Sequence, residues 1–211
     1  QAQMATVNLE RRAEIGRLKR QRTSAAIIDV ALTVIKERGM DEPTIDDFIV
    51  AAGVSRGTFY NHFATKDELM RAVSSYVADA IDARITPLFL GVKNPAQRIS
   101  IAIREFIRIS RERPEWGGVL ARTLPSGSGW SEDMRRGVLK DIRGGVRMGQ
   151  FTVPSVQSAA VIGIGALAMA IRTAALEKTP AHFAESIAMM TLQAMGMSLE
   201  DAGRIAKAPL P

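Results

Sequence analysis

The chain has no cysteine and only two histidines among its 211 residues. The first absence excludes disulfides and thiolate metal sites, and it fits a reducing compartment such as the cytoplasm. The second leaves little for metal or triad chemistry. His62 lies in a segment of short polar residues and His182 lies beside Phe183; neither has a partner at ligand or general-base spacing, so His182 reads as a cap or core residue. No heptad run, low-complexity tract or internal repeat is present. No apolar stretch near the N-terminus reads as a signal peptide, and Met4 is taken as the natural start. No catalytic residue, metal ligand or cofactor is assigned.

Two patterns imitate a site. Residues 148–171 carry no charge and are long enough to span a bilayer. Pro154 breaks the run, however, and Ser, Gln, Thr, Gly and Ala dilute it. Its small residues Ala159, Ala160, Gly163, Ala166 and Ala170 suit close packing of helices in a buried interface, so no membrane partner is expected. The GIGALA stretch within it matches G-x-G-x-x-A, with Glu185 downstream. A dinucleotide fingerprint needs a strand before it and a βαβ unit around it. Here the glycines sit inside a helical pattern, and the match is rejected.

What is present is positive charge and helical periodicity. The net charge is +6, unevenly spread. Residues 1–22, ending RLKRQR, carry six Lys/Arg against two Glu; they are expected to be a basic arm, either a frayed terminus or a segment lying along a DNA groove. Residues 23–80 carry more acids than bases, and residues 81–211 carry the remaining surplus. A helix is predicted from Arg22 to Arg38, with Ile27, Ile28, Ala31, Val34 and Ile35 on one face. Another runs unbroken from Lys66 to Pro87 and contains a domain boundary near residue 80. Asn94-Pro95 and Ser131 start further helices, LPSGSG is a loop, and two long helices occupy about 155–177 and 181–197. The segment 199–211 is a tail, either one more helical turn or disorder. The chain is all-α.

Residues 44–69, TIDDFIVAAGVSRGTFYNHFATKDEL, are the densest in signals. Thr44 with Asp47, and Thr65 with Glu68, are capping-box patterns. Gly53 can end the first short helix in a left-handed conformation, and Ser55 can cap the next only two residues later. A short helix, a glycine turn and a second short helix make a helix-turn-helix. In the second helix Val54, Phe59 and Phe63 form the buried side. Arg56, Thr58, Tyr60, Asn61 and nearby His62 offer hydrogen-bonding groups, the division a DNA-reading helix requires. Gly57, a poor helix former, would let backbone approach another surface. Lys66 stands in the first turn of the following helix, where a cation makes more sense beside a phosphate.

These residues resemble the DNA-binding signature of the TetR family of bacterial transcriptional regulators, above all over GVSRGTFYNHFATKDEL. Gly53, Ser55, Gly57, Tyr60, His62, Phe63, Lys66 and Leu69 fall where that family carries those types, and the match extends over residues 23–75. One departure is Ile49, where the family often has Ala; a larger side chain there would open the angle between the two short helices.

The resemblance implies an all-α fold with a three-helix DNA-binding domain at residues 23–80 and a helical effector-binding and dimerisation domain at 81–198. It implies a homodimer, paired through the last two long helices, bound to double-stranded operator DNA as a repressor and released by a small-molecule effector. Tyr60, His62 and Lys66 would grip phosphates, with Thr44 as a further contact; Ser55 and Gly57 lie in the same segment, and Arg56, Thr58 and Asn61 would be nearest to base edges. Phe106, Trp116, Trp130, Met134 and Met169 are candidate effector contacts. The two tryptophans flank the glycine-rich loop, where aromatic rings suit a pocket mouth. The surplus of arginine in the body points to an apolar or anionic effector. A ligand-independent architectural DNA binder and an all-α enzyme are the alternatives.

Overall fold

The computed structural model describes residues 2–125, 127 and 132–211, with side chains from Arg11 onward except those of Arg12 and Ala13. Ten α-helices and no strand occur among the described residues. They are α1 (Ala2–Arg38), α2 (Ile45–Ala52), α3 (Arg56–Tyr60), α4 (Lys66–Ile85), α5 (Pro95–Glu112), α6 (Pro114–Thr123), α7 (Glu132–Arg147), α8 (Val156–Leu176), α9 (Phe183–Ala194) and α10 (Leu199–Lys207). Contacts divide the chain into two compact units, Gln1–Val73 and Ser74–Pro211. The division falls inside α4, earlier than the expected boundary near residue 80.

Both ends of the chain carry more helix than the sequence reading gave them. The basic segment expected as an arm over residues 1–22 continues α1, which is unbroken to Arg38, because it contains no Pro and one Gly, and Ala, Glu, Leu, Lys and Arg all favour helix. The tail expected over 199–211 contains α10, capped by Ser198, whose side chain accepts from the Asp201 N–H. Its Ala202, Ile205 and Ala206 are buried, so this segment packs. The Ser131 cap predicted for α7 lies outside the described residues.

In the first unit α1 packs on α2. The fully buried side chains Ile27, Phe48, Phe59 and Leu69, with Phe63 and Val73, make its core. Val54, expected on the buried side, is half-buried. In the second unit α5 packs on α6, α7, α8, α9 and α10. It buries Ile99, Ile103, Phe106 and Ile107 at helical spacing, and Ile101 and Ile109 too, a wide apolar face opposed by Arg104, Arg108 and Arg111. The α6·α8 crossing is close: a Cβ on Gly117 would come within 2.7 Å of the Ala175 Cβ, so only glycine fits there without a shift.

Helix α8 is long and apolar enough to cross a membrane by length and composition alone, yet it packs on α5, α6, α7 and α9 and buries Ala159, Ala160, Leu167, Ala168, Ala170, Ile171 and Ala174. Its opposite stripe is solvent-facing. Val161, Ile162, Met169 and Leu176 are 56–69% exposed, with Gly165 and Ala166 between them. The small residues predicted to form one interface therefore divide. Ala159, Ala160 and Ala170 face inward, Gly163 is half-buried, and Ala166 faces outward.

Candidate nucleic-acid interface and interior cavity

The helix-turn-helix assembles from local hydrogen bonds. Thr44 caps α2, its hydroxyl accepting from the Asp47 N–H while the Asp47 carboxylate accepts from the Thr44 N–H at 2.7 Å. Gly53 ends α2 at φ 62°, its N–H donating to the Val50 carbonyl, a left-handed position that favours glycine. Ser55 caps α3 by accepting from the Thr58 N–H at 3.1 Å, and the two hydroxyls lie 2.8 Å apart. Thr65 accepts from the Glu68 N–H at 3.1 Å. The Glu68 carboxylate reaches back one residue further than a capping box requires, to the Ala64 N–H at 2.8 Å.

This scaffold leaves one polar face open. Thr44, Ser55, Arg56, Gly57, Tyr60 and Asn61 are exposed; Thr58, His62 and Lys66 are half-buried. The Tyr60 ring stands edge-on to Phe59 at 5.9 Å, anchored by a side chain that is fully buried. A Cβ on Gly57 would meet only the Ser55 Oγ, at 4.0 Å. The helix itself does not require glycine there, and the bare backbone faces outward.

Two of these side chains, and the backbone of Asn61, have partners that spacing could not foretell. Arg56 pairs with Asp46 at 2.8 Å. The Lys66 ammonium donates to the Asp41 carbonyl at 2.9 Å, which ties the first turn of α4 to the α1–α2 connection. Arg20 donates to the Asn61 carbonyl at 2.8 Å, so the basic end of α1 braces the end of α3. Burial first, then the Arg20 charge, push His62 below the ordinary histidine value of 6.5. Its imidazole is therefore neutral near pH 7, an N–H donor without a charge.

Asp47 is the strongest local acid. The Thr44 N–H, the Thr44 hydroxyl and Arg38 lower its carboxyl from 3.8 to about 2; Arg38 lies at 2.7 Å. A depressed folded-state value contributes stability that is complete above the unfolded value and disappears as pH falls through the folded one. Asp47→Ala is therefore expected to destabilise the first unit at pH 6, with the difference from the parent shrinking as pH drops from 3.8 toward 2. Urea unfolding at pH 6 and pH 2.5 checks this; a pH-independent gap would mean the carboxylate charge has no role.

The second unit contains a cavity of about 380 Å³ between the end of α4, α5, α7, α8 and α9. Phe106 and Met134 line it. Trp116 does not: it is 9% exposed, edge-on to Tyr76, with the Arg113 guanidinium 4.4 Å above its ring. Met169 does not either, being 61% exposed on the outer stripe of α8. Both lie on faces of their helices turned from the cavity, a distinction composition could not supply. Trp130 lies outside the described residues. Sequence reading missed the polar lining, Asp82, Arg98 and Asp141, and no spacing signal links these positions. The lining holds Asp82, Asp133 and Asp141 against Arg98, so the arginine surplus does not extend into it.

Residues 27–73 match the family described as bacterial regulatory proteins, tetR family, and residues 94–208 match the tetracyclin repressor-like C-terminal domain. Among curated relatives, the HTH-type transcriptional regulator SrpR of Pseudomonas putida is 31% identical over 87 residues, 41% of this chain and 40% of that protein. The uncharacterized HTH-type regulator YvdT of Bacillus subtilis is 35% identical over 63 residues, 28% of this chain and 32% of that protein. The chain thus spans well under two thirds of these relatives. Coverage is fuller among solved structures. The protein RolR in complex with its ligand resorcinol shares 27% identity at TM-score 0.68, covering 92% of this chain and 98% of that one. RolR without ligand shares 26% at TM-score 0.70, covering 89% and 98%. With both its DNA-binding and its C-terminal segment matched, this chain belongs to the TetR family of bacterial regulatory proteins.

Proposed function

We propose that this chain is a homodimeric transcriptional repressor of the cytoplasm that binds a palindromic operator and leaves it when a small molecule occupies the second unit's cavity. The observation that carries the DNA-binding part is the α2–turn–α3 unit, whose exposed polar face is seated on buried Phe48 and Phe59. In this reading Tyr60, His62, Lys66 and Thr44 contact phosphates, and Arg56, Thr58 and Asn61 meet base edges, with Ser55 and Gly57 permitting close approach. The domains are an α1–α4 DNA-reading head and a body from the later part of α4 through α10. Duplexes selected from a random pool should contain an inverted repeat, with half-sites one DNA turn apart or at a related spacing. Binding should weaken steeply and log-linearly with salt, because each phosphate contact releases counterions. Recovery of non-repetitive sequences with no salt slope would overturn the reading.

Dimerisation is supported by the exposed apolar stripe of α8 together with Met190 of α9, 62% exposed; a soluble protein seldom leaves such a surface open. The effector part is supported by the cavity and by the resorcinol bound in the similar protein RolR. Helix α4 supplies Asp82 and Ile85 to the cavity wall and Lys66 to the candidate DNA face. An occupant that binds two arrangements of this helix unequally can shift operator affinity; one that binds both equally shifts nothing.

A further inference from the structure

We propose that the cavity selects a neutral, hydroxyl-bearing aromatic ring, its hydroxyl donating to Asp141 and accepting from Arg98. The proposal rests on the reading of this cavity as the effector site and adds the class of its occupant. The walls are apolar, with Ile99, Ile103, Phe106, Ile142, Leu167 and Met195 among them. A volume of about 380 Å³ is near the small end for ligand sites, room for one ring and its substituents.

Most of the lining polar groups are already engaged. The Thr191 hydroxyl donates to the Ile187 carbonyl at 2.8 Å, and the Thr86 hydroxyl donates to Asp82 at 3.2 Å. Asp133 is at the rim, its side chain 81% exposed and paired with Arg136 at 2.6 Å. Arg98 and Asp141 differ. Their side chains are only 24% and 14% exposed, and they meet through a single donor: the Arg98 Nε–H is shared by both Asp141 oxygens, at 2.9 and 3.0 Å. The terminal nitrogens of Arg98 make no hydrogen bond to the described residues, and its guanidinium carbon sits 4.1 Å from the centre of the Phe89 ring.

A carboxylate offers about four acceptor positions and a guanidinium five N–H donors, so this pair keeps free hydrogen-bonding capacity at the wall of an otherwise apolar chamber, where a ligand hydroxyl can take it up. Burial raises the Asp141 carboxyl, and the Arg98 hydrogen bond and charge offset that only in part. A hydroxyl satisfies both partners at once, as donor to one and acceptor to the other. A ligand carboxylate would instead face Asp141 and Asp82. An ammonium would be drawn to the aspartates, but Arg98 already neutralises Asp141, and the cation would lose its hydration against the apolar walls. An ether can accept but gives Asp141 nothing.

Calorimetric titration of the 211-residue chain with 1,3-dihydroxybenzene, 1,3-dimethoxybenzene, benzoate and benzylamine tests this. The diol should bind at least roughly tenfold tighter than each of the others, the ratio expected for one well-made charge-assisted hydrogen bond. Asp141→Asn should reduce the preference over the dimethoxy compound at least severalfold, because the amide oxygen accepts more weakly than the carboxylate. Should this variant not fold, by circular dichroism, the parent's order of affinities decides. Equal binding of diol and diether, a preference for benzoate or benzylamine, selectivity retained in Asp141→Asn, or no binding of any probe would each overturn the proposal. Operator binding measured on the same preparation separates the two readings. Selective binding of the diol without release of DNA would leave the ligand class standing and remove the effector role.

Discussion

Glutamate at Ile162 or Ala166 is expected to yield monomers that no longer hold a palindromic operator. Both positions are exposed on the stripe of α8 that turns away from its own core. A carboxylate there costs an isolated unit almost nothing, since it stays in water. In a dimer built on this stripe it would be desolvated without a partner, a penalty large enough to dissociate most interfaces. Operator affinity should fall with it, because a single recognition helix contacts one half-site and loses the effective concentration that tethering provides. Gly163, in the same helix, makes a poorer test: it lines the cavity, and a side chain there would confuse dimerisation with occupancy. Sedimentation velocity and gel-shift assays on parent and variants measure both quantities. A parent that is monomeric at micromolar concentration, or Glu variants that stay dimeric, would end the assignment of this face.

The second large effect concerns how the exposed face of the first unit reads DNA. Tyr60→Phe is the cleanest substitution, because the ring remains seated on Phe59 while a hydroxyl with no hydrogen-bond partner among the described residues is removed. It should weaken binding to all sequences alike. Lys66→Ala should do the same and reduce the salt slope by about one, although it also releases the Asp41 carbonyl. Comparing its unfolding midpoint with the parent's separates the two effects. Arg56→Ala and Thr58→Ala should instead alter base preference, by roughly 1–3 kcal/mol for each lost base contact. The Arg56–Asp46 pair is largely solvent-exposed and therefore weak, so Arg56 can exchange that carboxylate for a base edge at small cost. Binding by all four variants that matches the parent would mean α3 is not the reading helix.

The local part of this architecture was legible because it is encoded over short separations. The caps at Thr44, Ser55 and Asn94, the stop at Gly53 and the apolar spacing of α4 and α5 depend on groups within four residues of one another, where stereochemistry alone decides the outcome. Less legible were the ends. A polar, proline-free terminus such as residues 2–22 has helix propensity but no apolar periodicity to announce it, and α10 is a short segment whose helix depends on burying Ala202, Ile205 and Ala206 against the rest of the unit.

The candidate site divides along the same line. The sequence alone determined which residues make up the helix-turn-helix, because its polar and apolar positions alternate within one segment and glycine is required at a position with φ of 62°. Only the tertiary structure decided that Arg56 pairs with Asp46, that Lys66 holds a turn of the preceding connection, that Trp116 and Met169 turn away from the cavity, and that Arg98 meets Asp141 inside it. The physical reason is sequence separation. Which face of a helix is buried can be read from its own period, but which other helix covers that face is set by side-chain shape and burial across the whole unit. Arg98 and Asp141 lie on two helices brought together by that packing, and nothing within either segment names the other.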